Sequence, residues 1–401
     1  MNQPAAPTRT GAERVRADPS LVGGDRIGLV TNYTGVLPDL RTTVASLREA
    51  GVALTALFGP EHGLRGTTQA GKSEPDDLDG ESGLPLFDTY RHSGADLDAL
   101  VASSGVDTLL YDLQDIGTRF YTYVWTMYDL LASAARTGVR FVVLDRPNPI
   151  GGLAAEGPLL DVAAASFVGR ASIPIRHGLT VGELARHFNA EAIPAEAGRP
   201  AELDVVGLTG WRRSHFADQT GLPWVMPSVN MPTLDSALAY SGTGLFEGTN
   251  LSEGRGTTRP FELIGAPYVD ARLARKLNEQ RLPGVRFRDV SFAPTFHKYA
   301  GRTVRGVQLH VHDREAFAPV STTLAMLYSL RVLYPDDFAW RDRAADAGAE
   351  HSGPRHAVDL LWGGDSLRLG LDARRDPAEL LEAAGVSCPA DWVGADALLY
   401  D

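Results

Sequence analysis

The stretch Gly59-Pro60-Glu61-His62-Gly63-Leu64-Arg65-Gly66 sets a carboxylate and an imidazole side by side among glycines and a proline, directly after the apolar run ALTALF. Glycine and proline on both sides exclude a continuous helix or strand, so the two proton-handling groups must be held out on a loop. A carboxyl group presented in this way can donate or accept a proton while a bond is cleaved. Other polar and aromatic residues gather in segments of similar composition: Asp112, Asp115, Arg119, Tyr121, Tyr123, Trp125, Arg146, Asn148, Glu156, Trp224, Asn230, Glu247, Asn250, Glu253, Arg255 and Arg259. Aromatic faces with carboxylates and amides suit a carbohydrate. Two carboxyl groups flanking a glycosidic bond can hydrolyse it, one protonating the leaving oxygen and the other activating water or attacking the anomeric carbon. Taken singly, each acid could instead cap a helix or pair with an arginine, as Asp145 beside Arg146 could; the clustering is what points to a site.

Rival chemistries leave weaker traces. Residues 66–73, GTTQAGKS, satisfy the phosphate-cradling pattern G-x-x-x-x-G-K-[ST] at every position. That chemistry needs a strand directly before the loop and a helix directly after it, whereas GPEHGLR precedes and the acidic EPDDLDGESGLP follows. A nucleotide-binding enzyme using Lys72 is kept as an alternative on the letter match alone. No G-x-G-x-x-G follows the first strand, no H-E-x-x-H or G-x-S-x-G occurs, and His310 and His312 alternate on a strand in the ordinary way. The single cysteine, Cys388, excludes an internal disulfide and a cysteine-rich metal site.

The elements that must position these residues follow from the apolar pattern. DRIGLVT, VALTALF, VDTLLYD and VRFVVLD are short apolar runs without clean alternation, separated by the helical patterns LRTTVASLREAG, GADLDALVASS and TYVWTMYDLLASAARTG. Buried strands alternating with amphipathic helices predict a doubly wound α/β domain with a mostly parallel, Rossmann-like sheet. Ligands of such sheets bind at the carboxyl ends of the strands. Thr31 and Asn32, Glu61 and His62, Asp112 to Asp115, and Asp145 to Asn148 fall at four such ends. Long Gly- and Pro-rich loops occupy residues 151 to 265, and loops of that length commonly serve a site. From GAPYVD onward the pattern becomes helix, two strands and a long helix. The expected organisation is a disordered segment over 1–20, a Rossmann-like catalytic domain over 21–265 and a smaller α+β domain over 266–401.

The chain has 401 residues, 44% hydrophobic and 22% charged, enough for a sizeable core. A formal net charge of -12 excludes the broad positive field of a nucleic-acid or anionic-membrane binder. Only Lys72, Lys276 and Lys298 are lysines, which biases any anion site towards arginine forks. The N-terminal segment lacks the apolar stretch of roughly 7–15 residues that a secretory signal needs, so a cytoplasmic location is expected.

GLVTNYTGV, LFGPEHGLRG, YDLQDIGTRFYTYVWTMYD, VVLDRPNPIGG, EGPLLD, SFVG, IPIRHGLTVGELA, LPWVMPSVNMPTLD and FEGTNLSEGRGTTRPFELIGAP resemble the exo-β-N-acetylmuramidase family, glycoside hydrolase family 171. The resemblance is dense from about residue 26 to 268 and weaker beyond. It implies release of N-acetylmuramic acid (MurNAc) from the non-reducing end of peptidoglycan fragments such as MurNAc-GlcNAc, in a Rossmann-like domain flanked by a smaller one. It implies no nucleotide cofactor and a peptidoglycan-derived saccharide or muropeptide as ligand; with the charge and the missing metal motifs, no cofactor, no metal and no nucleic-acid or membrane partner are expected. A non-catalytic muropeptide-binding protein is the other reading of the same residues. One departure is Val229 in VMPSVNMP, where the family typically carries a proline.

On that resemblance Glu61 is the expected catalytic carboxylate, as general acid, with His62 contacting substrate or supporting it. Glu156 and then Glu253 are expected as the second carboxylate, and Asp112 and Asp115 would orient an attacking acetamido group. The lactyl carboxylate of muramic acid calls for a guanidinium fork, with Arg119, Arg146, Arg255 and Arg259 as candidates and the last two favoured. Asn32, Tyr121, Tyr123, Asn148, His177, Asn230 and Asn250 complete the expected substrate contacts.

Overall fold

The computed structural model describes residues 7–68, 71–75, 77–342, 356–384 and 392–401; Cys388 lies outside them. The apolar runs form β1 (Ile27–Thr31), β2 (Leu54–Gly59), β5 (Thr108–Asp112) and β6 (Arg140–Leu144), joined in one seven-stranded sheet by β3 (Asp77–Leu78), β4 (Pro85–Asp88) and β7 (Leu203–Val206). The order is β3-β4-β2-β1-β5-β6-β7, parallel except for the β3–β4 pair. From β1 the chain winds to β2 and β4 on one side, then restarts at β5 and proceeds to β7 on the other. The winding therefore reverses between β1 and β5, the place where doubly wound sheets open a crevice.

Helices α1 (Gly11–Ala17), α2 (Thr43–Glu49), α3 (Gly94–Ser104), α4 (Tyr123–Thr137), α5 (Val181–Glu191) and α6 (Ile193–Ala197) cover both faces. Alternate strand residues accordingly enter different cores: Leu109 and Tyr111 of β5 join the cluster containing α4, while Leu110 joins that of Ala12, Val15 and Leu47 on α1 and α2. Burial on both faces explains why these strands read as continuous apolar runs.

Residues 7–20 are ordered where disorder over 1–20 was expected. Thr10 and Glu13 form a capping box at the start of α1, the Glu13 amide donating to Thr10 Oγ1 and the Thr10 amide to Glu13 Oε2 at 2.9 Å. Ala12 and Val15 are fully buried, and Arg9 pairs backbone to backbone with Thr209. The sequence signal was the T-x-x-E spacing with Ala12 and Val15 three residues apart on one helix face.

Beyond α7 (Leu234–Thr243), strands β8 (Leu263–Ala266), β9 (Val285–Phe292) and β10 (Val304–Val311) form an antiparallel sheet in the order β8-β10-β9. Helices α8 (Arg272–Glu279), α9 (Pro319–Leu333), α10 (Ala357–Trp362), α11 (Ser366–Asp372) and α12 (Pro377–Ala384) complete this part. A Cβ at Gly242 would lie 2.0 Å from the Pro319 carbonyl oxygen, so only glycine lets α7 and α9 meet backbone to backbone. By its packing α7 thus belongs with the smaller unit, ahead of the expected start at residue 266. Among the described residues no helix is long and apolar enough to cross a membrane.

Candidate active site

Strand β2 ends at Gly59 and the chain turns at once, the Gly63 amide donating to the Pro60 carbonyl at 3.0 Å. His62 and Gly63 both adopt left-handed backbone with φ of 74°. This suits Gly63 but strains His62 by roughly 1–2 kcal/mol, a cost its fixed surroundings offset. The His62 amide donates to the Lys72 carbonyl at 2.9 Å, and its Nδ1 lies 2.9 Å from the Thr68 carbonyl. A carbonyl oxygen only accepts, so Nδ1 carries the proton. In the neutral ring Nε2 then bears the lone pair, and it has no partner among the described residues.

Glu61 is buried beside it. Its Oε1 accepts from the Gly71 amide at 2.6 Å, and its Oε2 accepts from the Thr122 hydroxyl at 2.5 Å. Residues 66–73, which spell a phosphate loop, therefore do something else. The Gly71 amide is spent on Glu61, the Lys72 side chain is exposed, and Ser73 Oγ donates to Asp88. No helix follows; the next element is the two-residue strand β3. Thr68, Gly71 and Lys72 hold the Glu61-His62 turn.

Glu61, His62 and Thr122 face a cavity of about 340 Å³. One wall is aromatic: Tyr240 packs edge-on against Phe261 (4.5 Å between ring centroids), Phe120 (5.1 Å) and Tyr121 (6.2 Å). Glu247 and Arg255 form another, paired at 2.8 Å, with the guanidinium 5.0 Å from the Phe261 ring centroid. Ser228 and Asn230 enter from the 219–234 loop, and Arg91, Phe167, Arg341 and Leu361 complete the rim. Burial, with the charge of Glu61 adding to it, pushes the Tyr90 phenol up to about 12. A second cavity of about 270 Å³, at the carboxyl ends of β1, β5 and β6, is lined mainly by Trp224, prolines and aliphatic groups, and its one carboxylate, Asp218, is paired with Arg314. Of these two, the first brings together a presented carboxyl group, an imidazole and arginines. Among the described residues no group of three or more His, Cys, Asp or Glu could hold a metal ion.

The family model described as exo-beta-N-acetylmuramidase NamZ, N-terminal, matches residues 27–235, and its C-terminal counterpart matches residues 238–386. The chain belongs to the NamZ family. It is 48% identical over 317 residues to the peptidoglycan beta-N-acetylmuramidase NamZ of Bacillus subtilis, covering 79% of this chain and 75% of that protein. Two crystal structures of DUF1343 family proteins from Bacteroides fragilis superpose on it. One has a TM-score of 0.81 at 35% identity, covering 96% of this chain and 95% of that one; the other has 0.72 at 27%, covering 95% of each.

Of the expected site residues, Glu61, His62, Tyr121, Asn230 and Arg255 line the cavity of this NamZ-family chain. The two acids expected as second carboxylate do not. Glu156 accepts from Arg176 at 2.9 Å and from the Val320 amide at the start of α9, and burial raises its pKa. Glu253 is fully buried against Lys298 (2.9 Å), His297 (3.0 Å) and Arg255 (3.7 Å). The carboxylate that shares the cavity with Glu61 is Glu247.

The arginines divide in the same way. Arg119 is fully buried and donates to four backbone carbonyls, those of Pro158, Ile173, Leu361 and Trp362, tying α10 to the larger domain. Burial lowers its pKa to about 9. Arg146 grips Asp112 with both arms of its fork, at 2.6 and 3.1 Å, and Arg259 pairs with Glu262 on the half-exposed surface. Asp115 accepts from the Gly117 amide and meets His177 Nε2 at 3.1 Å; since His177 Nδ1 accepts from Leu179, the proton sits on Nε2. Asn148 and Asn250 are committed to loop backbone around Leu179 and Asp337. Asn32 donates to the Tyr123 hydroxyl, which donates in turn to the Pro227 carbonyl; this chain holds the loop carrying Ser228 and Asn230.

Thr122 and Arg91 carried no sequence signal strong enough to single them out. Thr122 was readable only as part of a helix start, and Arg91 sits in the unremarkable run TYRHSG.

Proposed function

We propose that this chain is an exo-acting β-N-acetylmuramidase that removes MurNAc from the non-reducing end of peptidoglycan-derived saccharides such as MurNAc-GlcNAc. The observation that carries the reading is Glu61: a buried carboxyl group held on a strained turn by an amide and a hydroxyl, at the wall of a cavity in a chain of the NamZ family. A volume of about 340 Å³ lies at the small end of ligand pockets, ~300–1,000 Å³, and fits one terminal sugar rather than a glycan strand.

In this reading Glu61 passes a proton to the glycosidic oxygen as the bond breaks, and His62, fixed in one tautomer by Thr68, offers its Nε2 lone pair to a sugar hydroxyl. The Tyr240 and Phe261 rings pack the sugar face, and Glu247, steadied by Arg255, supplies negative charge near the oxocarbenium-like centre until a water molecule bonds to the anomeric carbon and its released proton restores the Glu61 carboxyl group. Purified protein and its Glu61→Gln variant, assayed side by side on a chromogenic β-MurNAc glycoside, test this. Release by the parent that falls by roughly 10²–10⁴-fold in the variant is expected; absence of release by folded parent protein would refute the reading.

A further inference from the structure

We propose that Arg91 is the residue that reads the lactyl carboxylate of the terminal muramic acid. The inference rests on the muramidase reading above and adds the group that separates muramic acid from glucosamine. A sugar bearing a carboxylate must enter a cavity that already holds Glu61 and Glu247, so a cation without a prior claim on it is needed to offset the repulsion. Three arginines line that cavity, Arg91, Arg255 and Arg341. Arg255 is consumed by Glu247 and Glu253, and Arg341 has a partner of its own. Arg91 pairs with no carboxylate among the described residues. Its guanidinium lies over two rings instead, 5.2 Å from the centroid of Tyr90 and 5.4 Å from that of Phe167.

These ring contacts hold the guanidinium beside Tyr90 and Phe167, and with no carboxylate on it the fork suits a bidentate acceptor from the substrate. The backbone supports the same assignment. Arg91 has φ of 63°, a left-handed conformation that an arginine adopts at a cost and that the flanking turn imposes. That turn is bolted to the catalytic one: the amide and the hydroxyl of Thr89 both donate to the Gly59 carbonyl, at 2.9 and 2.8 Å, two residues before Glu61. Asp88 closes it by accepting from the Tyr90 amide at 2.8 Å. The phenol of Tyr90 feels the charges of both Glu61 and Arg91. The proton-transferring carboxyl group and the carboxylate reader therefore share one scaffold at the ends of β2 and β4, which fixes the spacing between the anomeric centre and the lactyl arm.

The test compares two substrates: a chromogenic β-MurNAc glycoside, and the same compound with its lactyl carboxylate converted to the primary amide. Wild-type protein is expected to prefer the carboxylate. In Arg91→Gln, KM for the carboxylate substrate should rise about 10- to 100-fold, the range for loss of charge-assisted hydrogen bonds, with kcat changed far less. The preference over the amide should vanish, and Arg91→Lys should restore part of it. If Arg91→Gln keeps the wild-type preference, Arg91 only packs against Phe167 and the proposal is overturned. A wild-type protein inactive on both compounds would refute the muramidase reading itself, so the two failures are distinguishable.

Discussion

The hydroxyl of Thr122, on the residue that opens α4, donates to Oε2 of Glu61. A carboxyl group at the end of β2 is thereby fastened to the helix that follows β5, across the strand β1 that lies between them. Together with the Gly71 amide on Oε1, this leaves the carboxyl group little freedom to rotate away from the cavity. If Glu61 is the general acid proposed above, that orientation is a large part of its catalytic worth.

Replacing Thr122 by valine keeps the volume and removes the donor. We expect kcat on a β-MurNAc substrate to fall about 10-fold, as for loss of a hydrogen bond that orients the carboxyl group, while KM changes little. Serine at the same position should retain most of the rate. A valine variant with wild-type kcat would mean that the Gly71 amide alone orients Glu61.

Glu253 supplies a stability prediction with a defined sign. Burial alone would raise its pKa, but Lys298, His297 and Arg255 outweigh that and hold the carboxyl well below its usual 4.5. A folded-state pKa below the unfolded value gives stability that is fully present above about pH 4.5 and is lost as the pH falls through the folded value. The wild type should therefore lose stability steeply on acidification below that point. Glu253→Gln removes the carboxylate from the half-buried Lys298 ammonium, which keeps its bonds to the Phe246 and Leu251 carbonyls, and should cost roughly 1.5–3 kcal/mol at pH 7, with a shallower slope at acid pH. Urea midpoints between pH 3 and 7 for both proteins measure the difference; parallel curves would show that the ion cluster contributes nothing.

These residues also mark how far the sequence could be read. The parallel sheet and the strand ends were legible because continuous apolar runs bounded by loops admit few other folds, and the turn that presents Glu61 was legible because the glycines and proline of GPEHG interrupt helix and strand. Orientation within the long loops was not. Glu156 and Glu253 have the composition of site residues, yet their partners, Val320 and Lys298, lie far along the chain, and composition carries no such pairing. Arg119 makes the point most plainly, since its acceptors at 158, 173, 361 and 362 come from three separate segments. The capping box at Thr10 was local and could have been found.

The last prediction separates letters from geometry in GTTQAGKS. If the segment bound phosphate, Lys72 would be indispensable and the Gly71 amide would face the ligand. Here the Lys72 side chain is exposed, and the Gly71 amide, on a residue with φ of 84°, donates to Glu61. Lys72→Ala should thus keep muramidase activity within about twofold, as for an exposed side chain away from such features. Titration of ATP into the wild type by calorimetry should give no binding heat. Gly71→Pro deletes the N–H that Glu61 accepts from and forbids the positive φ, so it should lower kcat by about 10²-fold or more. The reverse pattern, with Lys72→Ala inactive and Gly71→Pro active, would return the segment to the phosphate-binding class and leave Glu61 held by Thr122 alone.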